Sequence, residues 1–269
     1  MIDNYEKITN DIKKLDNNKL KDFLISRVIY LENKTNIEKL GFNDDKIVSI
    51  YNGYISSKSP IKFSKSSEPF YLDNIDIYYN FIINFKNHIN ENDILKMLQD
   101  LQDYFTNSFG LTGSQKLRDI VTKEYSIEKN KKLINENLSI SAFTSTGAAM
   151  CLERSAILQN ILSILGLNCY LIYGKLIRTE NNVSKEELHS YNIIQIKEND
   201  YLIYDISNPL SLEYNSCKKY FPAINVIDYE KLCKIIRGEN YNFENEQVEN
   251  LFNFKATVLN EIKRIYTIG

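Results

Sequence analysis

The chain has 269 residues, 43% of them hydrophobic and 25% charged, which is the composition of a folded globular protein with material for one large domain or two small ones. Its 33 basic and 35 acidic residues leave a formal charge of −2, so it lacks the basic footprint of a general nucleic-acid binder. No segment reaches the roughly 18 consecutive apolar residues of a membrane-spanning helix, so neither a nucleic acid nor a membrane is expected as a partner.

Residues 1–50 are expected to be helical. Ile8, Ile12, Leu15, Leu20, Phe23, Leu24, Val28 and Leu31 recur at helical spacing among Lys, Asp and Asn. The stretch GYISSKSPIKFSKSSEPF (53–70) holds two of the four prolines and six serines, which is loop or linker chemistry. Residues 71–89, rich in Tyr and Ile, fit a buried helix or strands equally. From Asn92 to Phe105 the side chains of Ile94, Leu95, Leu98, Leu101, Tyr104 and Phe105 form one apolar helical face, with Gly110 and Gly113 beyond its end.

A helix with a solvated lysine face follows over Leu117–Leu133. The small-residue run SISAFTSTGAAM then leads into a helix from Cys151 to Leu165, with Gly166 at the C-cap. CYLIYGKLI (169–177) reads as a strand, TENNVSKEEL (179–188) as a polar loop, and SYNIIQI (190–196) with DYLIYDI (200–206) as a hairpin ended by NPL. Residues 227–238 and 245–265 are expected to be helices. The order predicts an α+β fold, with a helical N-terminal region over 1–88 and a core over 89–269 that ends in helices.

Three residues in this order carry chemistry. Cys151 heads a helix, where unsatisfied N–H groups and the helix dipole favour an anion, so a more acidic thiol is expected. The run TSTGAA before it lets a substrate backbone approach, Ser145 or Thr146 is placed to cap nearby, and the Cys151 N–H points where an oxyanion would develop. His189 opens a strand 38 residues later, and Asp205 lies near the end of the next strand. If the hairpin pairs symmetrically about Lys197, the two face each other on one side of the sheet, and the carboxylate orients the imidazole. The turn itself centres more naturally on Asn199, which calls for a bulge or a shift.

The pieces GAAMCLERSAILQNILSILGLNCYLIYG, HSYNIIQI and YLIYDISNPL together resemble the transglutaminase-like (papain-related) cysteine enzyme superfamily over about residues 147–210. The resemblance implies a papain/transglutaminase-like core with the catalytic helix packed on a small antiparallel sheet. It implies Cys151 as nucleophile, His189 as general base and acid, and Asp205 as the orienting carboxylate. The usual Trp of the His motif is Tyr191 here, and the second oxyanion donor of such sites has no evident counterpart. The implied function is thiol-dependent acyl transfer on a protein or peptide amide through a thioester, resolved by water as in a peptidase or deamidase.

An amine acceptor would make the chain a transglutaminase proper. Arylamine acetyltransferases share the Cys–His–Asp logic and the Cys151–Glu153 spacing, but their Arg-Gly-Gly run before the Cys reads STGAAM here, and no feature announces a coenzyme A pocket. A non-catalytic protein that binds a peptide or partner in the same cleft is the alternative of a different class.

Other residues have plainer readings. Cys169, Cys217 and Cys233 fit as small core residues, His88 as a satisfied or surface side chain, and Tyr170 and Tyr173 as packing residues. Glu153 and Arg154 are expected on a solvated helix face. Asn192 either reaches its hairpin partner or faces solvent, and Asp205 alone would serve to cap the turn before Pro209. The four cysteines lack any C-x-x-C spacing and only two histidines accompany them, so no metal site is expected. No phosphate-binding glycine loop, zincin motif or calcium loop is present, and no cofactor is expected. The N-terminal residues have no apolar signal-peptide region, which with reduced thiols suggests the cytoplasm, although export by a non-Sec route would leave no mark here.

Overall fold

The computed structural model describes residues 2–34, 39–40, 49–56, 58, 70–71, 75–90, 92–130, 138–139, 144, 147–180, 182–214, 217–228, 230, 243–244 and 263–267. The architecture is α+β. Helices α1 (Ile2–Lys14), α2 (Asn17–Lys34), α3 (Ile75–Phe85), α4 (Ile94–Phe109), α5 (Gln115–Asn130) and α6 (Cys151–Ile164) accompany an eight-stranded sheet. The sheet contains β1 (Lys39–Leu40), β2 (Ser49–Asn52), β5 (Cys169–Glu180), β6 (Val183–Gln195), β7 (Asp200–Tyr214) and β8 (Cys217–Asp228), in the order β1-β2-β5-β6-β7-β8. Strand β10 (Lys263–Thr267) pairs with β5 beyond the end of β2 and carries β9 (Phe243–Glu244) on its other side. Every pairing in this sheet is antiparallel. A separate two-stranded parallel pair joins β3 (Phe70–Tyr71) to β4 (Leu138–Ser139).

The sheet is larger than the small one expected, for identifiable reasons. The polar run 179–188 is an extension of the β5–β6 ribbon, not a loop. Its side chains are polar because they face water, and they pair across the ribbon: Lys175 with Glu186 at 2.8 Å and Arg178 with Glu187 at 2.9 Å. Strand β7 does not stop at Asn208-Pro209 either. It runs on to Tyr214 through an irregularity between Asp205 and Leu210, so the proline sits in a bulge. Ile227–Asp228 close β8, and residues 263–265 belong to β10 (Lys263–Thr267), where helices were expected; apart from Glu230, the remainder of those two C-terminal segments lies outside the described residues.

Residues 39–40 and 49–52 are strands within a region expected to be helical, and the ambiguous 71–89 stretch is mostly helix α3 followed by a 3₁₀ turn at Lys86–His88. The proposed linker begins with Tyr54 and Ile55 buried in the core. Most of its remainder lies outside the described residues.

One hydrophobic cluster unites Tyr5 and Ile12 of α1, Leu24 of α2, Phe81 and Phe85 of α3, Leu98 and Phe105 of α4, most apolar side chains of α6, and Leu171, Ile194, Leu202 and Tyr204 of the sheet. Helix α6 packs on β5, β6 and β7, with α2 on another side. All residues from Leu152 to Ile164 are buried. A helix enclosed all round has no solvated face, so Glu153 and Arg154 are buried, contrary to expectation.

Several polar groups of α6 are matched to backbone, while Nε and Nη2 of buried Arg154 have no hydrogen-bond partner among the described residues. Asn160 accepts from the Ile55 N–H at 2.8 Å and donates to the Ile55 carbonyl at 2.8 Å, while Gln159 donates to the carbonyls of Gly53 and Cys169. Asn192 of β6 turns inward and donates to the Ser155 carbonyl at 3.1 Å. Each such bond offsets the desolvation of a buried amide and fixes the helix against the sheet in one register.

Candidate active site

Cys151 is the first residue of α6 and is half-buried. Gly147, at φ +68°, bends the chain just before it, a backbone region that favours glycine. Met150 is extended, and its N–H donates to Glu153 Oε2 at 3.0 Å, so the Glu153 side chain caps the helix. Ser145 and Thr146 lie outside the described residues. At the other end the helix closes as expected, with Gly166 in the left-handed region at φ +90°.

His189 and Asp205 meet. His189 Nε2 lies 2.9 Å from Asp205 Oδ2, and both side chains are buried. The pairing that brings them together differs from the symmetric one about Lys197. Asn192 is opposite Tyr204 and Ile193 opposite Ile203, so the ladder centres on Glu198. The displacement is two residues, an even number, and it keeps His189 and Asp205 on one face while making them diagonal neighbours.

The bulge after Asp205 supplies the rest of the geometry. Asp205 Oδ1 accepts from the backbone N–H groups of Ser207 (3.1 Å) and Asn208 (3.3 Å), while Oδ2 accepts from Asn208 Nδ2 at 3.1 Å. Both readings of Asp205 therefore hold at once: one oxygen caps the turn before Pro209 and the other holds the histidine.

The Cys151 thiol lies close enough to His189 to favour the charged form of the ring. With Nε2 turned to the carboxylate, Nδ1 is the ring nitrogen left for sulfur. Burial works to lower the His189 pKa, but Asp205 and then Cys151 outweigh it and raise it to about 10. The charged imidazolium is thus the favoured form. One turn into the helix, Ser155 Oγ donates to the Ser190 carbonyl at 3.1 Å, so the backbone beside His189 is tied to the helix that carries Cys151.

Several contributors were not evident as site residues in the sequence. Asn208 Nδ2 donates to Asp205 Oδ2 at 3.1 Å and lies 3.3 Å from His189 Nε2. The only sequence signal for it is its place in the Asp-Ile-Ser-Asn-Pro turn. Arg118 of α5 reaches Glu153 Oε1 with Nη2 at 2.8 Å and Nε at 3.1 Å, across 35 residues, and nothing local in the sequence announces that contact. Arg154 is wholly buried, with its guanidinium over the Phe105 ring and Nη1 donating to the Phe109 carbonyl at 3.4 Å. Burial pulls its pKa down to about 10 against the opposing effect of Asp205, so it is charged at neutral pH.

The loop Gly110–Gly113 ties the two halves of the site: Gly113 N–H donates to the Ala149 carbonyl at 2.9 Å and Thr112 Oγ1 to the Ser207 carbonyl at 2.6 Å.

The remaining candidates fall elsewhere. Cys169 is buried, its thiol pKa driven upward by desolvation, and its sulfur contacts Asn192. Cys217 lies in β8, and Cys233 lies outside the described residues. His88 is half-exposed and stacked on Phe85. Tyr173 packs against the core cluster, while Asn168 donates to the Tyr170 hydroxyl at 3.3 Å.

Among the described residues no group of three or more His, Cys, Asp or Glu side chains is arranged to hold a metal ion, and no helix is long and apolar enough to cross a membrane. No protein-family model matches the chain, and no curated protein matches it by sequence.

Proposed function

We propose that this chain is a transglutaminase-like cysteine enzyme that transfers an acyl group from a protein or peptide amide to its own thiol and then to water. One observation carries the reading. A half-buried thiol at a helix N-terminus sits within electrostatic reach of a buried histidine whose Nε2 is held at 2.9 Å by a buried carboxylate.

The steps follow from those groups. His189 takes the Cys151 proton, giving a thiolate–imidazolium pair, with Asp205 stabilising the imidazolium. The thiolate attacks the amide carbonyl, and the Cys151 N–H at the head of α6 faces the oxyanion. His189 then gives its proton to the leaving nitrogen, releasing ammonia or an amine and leaving a thioester on Cys151. Water, deprotonated by His189, attacks that thioester, and the proton returns to the thiol as the carboxylic product leaves. Asp205 stays ionised throughout. The proposed setting is the cytoplasm, whose reducing pool keeps such a thiol free.

Site-resolved iodoacetamide labelling across pH tests the reading, in wild type and in His189→Ala. Cys151 is expected to label well below the ordinary thiol range near pH 8.5, and to lose that advantage in the variant. In parallel, glutamine-containing peptides should release ammonia and yield a mass adduct on Cys151 only. A Cys151 that labels like an ordinary thiol and ignores the loss of His189 overturns the proposal, and would turn attention to the cleft as a peptide-binding surface.

A further inference from the structure

We propose that Arg118 is a positioning residue for the nucleophile, cancelling the Glu153 carboxylate so that the head of α6 can accept a second anion, the Cys151 thiolate. The inference rests on the thiol reading above and adds to it a charge partner from a separate helix.

Glu153 has two duties that conflict. Its Oε2 accepts the Met150 N–H and so shapes the turn that presents Cys151. Yet its side chain is only 2% exposed and places a negative charge two residues from the thiol, at the same helix end. Two anions there compete for one set of N–H groups and repel each other, strongly so where water is excluded. Arg118 removes the conflict. Its Nη2 and Nε both meet Glu153 Oε1, at 2.8 and 3.1 Å, a two-donor contact that a point-charge lysine could not reproduce.

Among the described residues, His189 of β6 and Tyr173 of β5 also feel the thiol's charge, and Arg154 of α6 acts on Asp205. His189 hydrogen-bonds Asp205, and Arg118 hydrogen-bonds Glu153. The electrostatic influence between Arg118 and the thiol is favourable to both charged forms, as it is between Arg118 and Glu153. Arg118 also remains 32% exposed, so it holds Glu153 from the solvent side of the site.

The test compares labelling of Cys151 by iodoacetate, an anion, and iodoacetamide, which is neutral, in the full chain at pH 7. The ratio of the two rates reads the local charge and is insensitive to a mere loosening of the fold. Arg118→Gln is expected to slow iodoacetamide labelling about tenfold and to lower the iodoacetate ratio further. Arg118→Lys should recover part of the loss. The double variant Arg118→Gln/Glu153→Gln should return the ratio to near the wild-type value, because the uncancelled charge is gone. Glu153→Gln alone should raise it.

Arg118→Gln labelling like wild type overturns the proposal. So does a double variant whose ratio stays as low as that of the single variant. If Arg118→Gln does not fold, a lowered ratio in Glu153→Gln overturns it and a raised ratio supports it. His189→Ala separates the two ideas: a Cys151 indifferent to His189 refutes the acyl-transfer reading, whatever the Arg118 series shows.

Discussion

The two sides of the thiol are held by different physics. On one side, β6 and β7 bring His189 and Asp205 against a helix that is enclosed all round, and Asn192, Gln159 and Asn160 fasten that helix to backbone groups through buried hydrogen bonds. On the other, α5 approaches through the Arg118–Glu153 pair and through Val121, which clusters with Ala148 and Ala149, while Leu117 and Ile120 stay 42% and 46% exposed. The first side is a dry floor, where a lost polar partner leaves a group unsatisfied in low dielectric. The second is a wet rim, where a lost contact can be replaced by water. The difference teaches where the geometry around the thiol is set: in the sheet register for the His189–Asp205 pair, and in a few polar ties on the side of α5.

The largest test of that contrast is Asp205→Ala on the floor. It strips a partner from buried His189 and the acceptor of three hydrogen bonds from the bulge, and should cost about 3–5 kcal/mol in urea unfolding. A loss under about 1 kcal/mol would mean that the floor does not depend on this pair.

The second test is pH. The His189 pKa is raised in the folded chain from its ordinary 6.5 to about 10, so its contribution to stability is full below pH 6.5 and is lost as pH rises through 10. Wild type should therefore lose stability relative to His189→Gln between those limits. A pH-independent difference would show that the charged imidazole is not what the floor stabilises.

A third prediction probes the tie between the halves. A Cβ added at Gly113 would lie 2.5 Å from the Gly147 carbonyl oxygen and 2.8 Å from the Ala148 carbonyl carbon, both backbone atoms. Gly113→Ala must displace the turn before Cys151, and should cost roughly 1–3 kcal/mol in thermal unfolding while slowing Cys151 labelling. Labelling at the wild-type rate would show that the Gly110–Gly113 loop does not set the thiol's position. The smallest effect belongs to the rim surface: Leu117→Ser should change stability by no more than about 0.5 kcal/mol. A larger loss would reveal α5 as part of the core.

Much of the site was legible in the residues themselves. A small-residue run, a cysteine, a helical stretch and a closing glycine set the bounds of α6 to within a residue, because caps and periodicity are local properties. The strands that carry His189 and Asp205 were expected over 190–196 and 200–206, shorter than the observed Val183–Gln195 and Asp200–Tyr214. What local reading obscured was solvent. The 179–188 ribbon looked like a loop because its residues are polar, yet its pairs stabilise extended chain, and Glu153 and Arg154 looked solvated because they are charged, yet each is buried in the structure.

The sequence by itself determined that a thiol would head a helix and that a histidine and a carboxylate would lie on adjacent strands, since each depends on a few neighbouring residues. Only the tertiary structure decided that they converge. The register centred on Glu198, the bulge after Asp205 and the reach of Arg118 to Glu153 each depend on groups far apart in the chain, and long-range pairing is chosen by the packing of the whole sheet against α6.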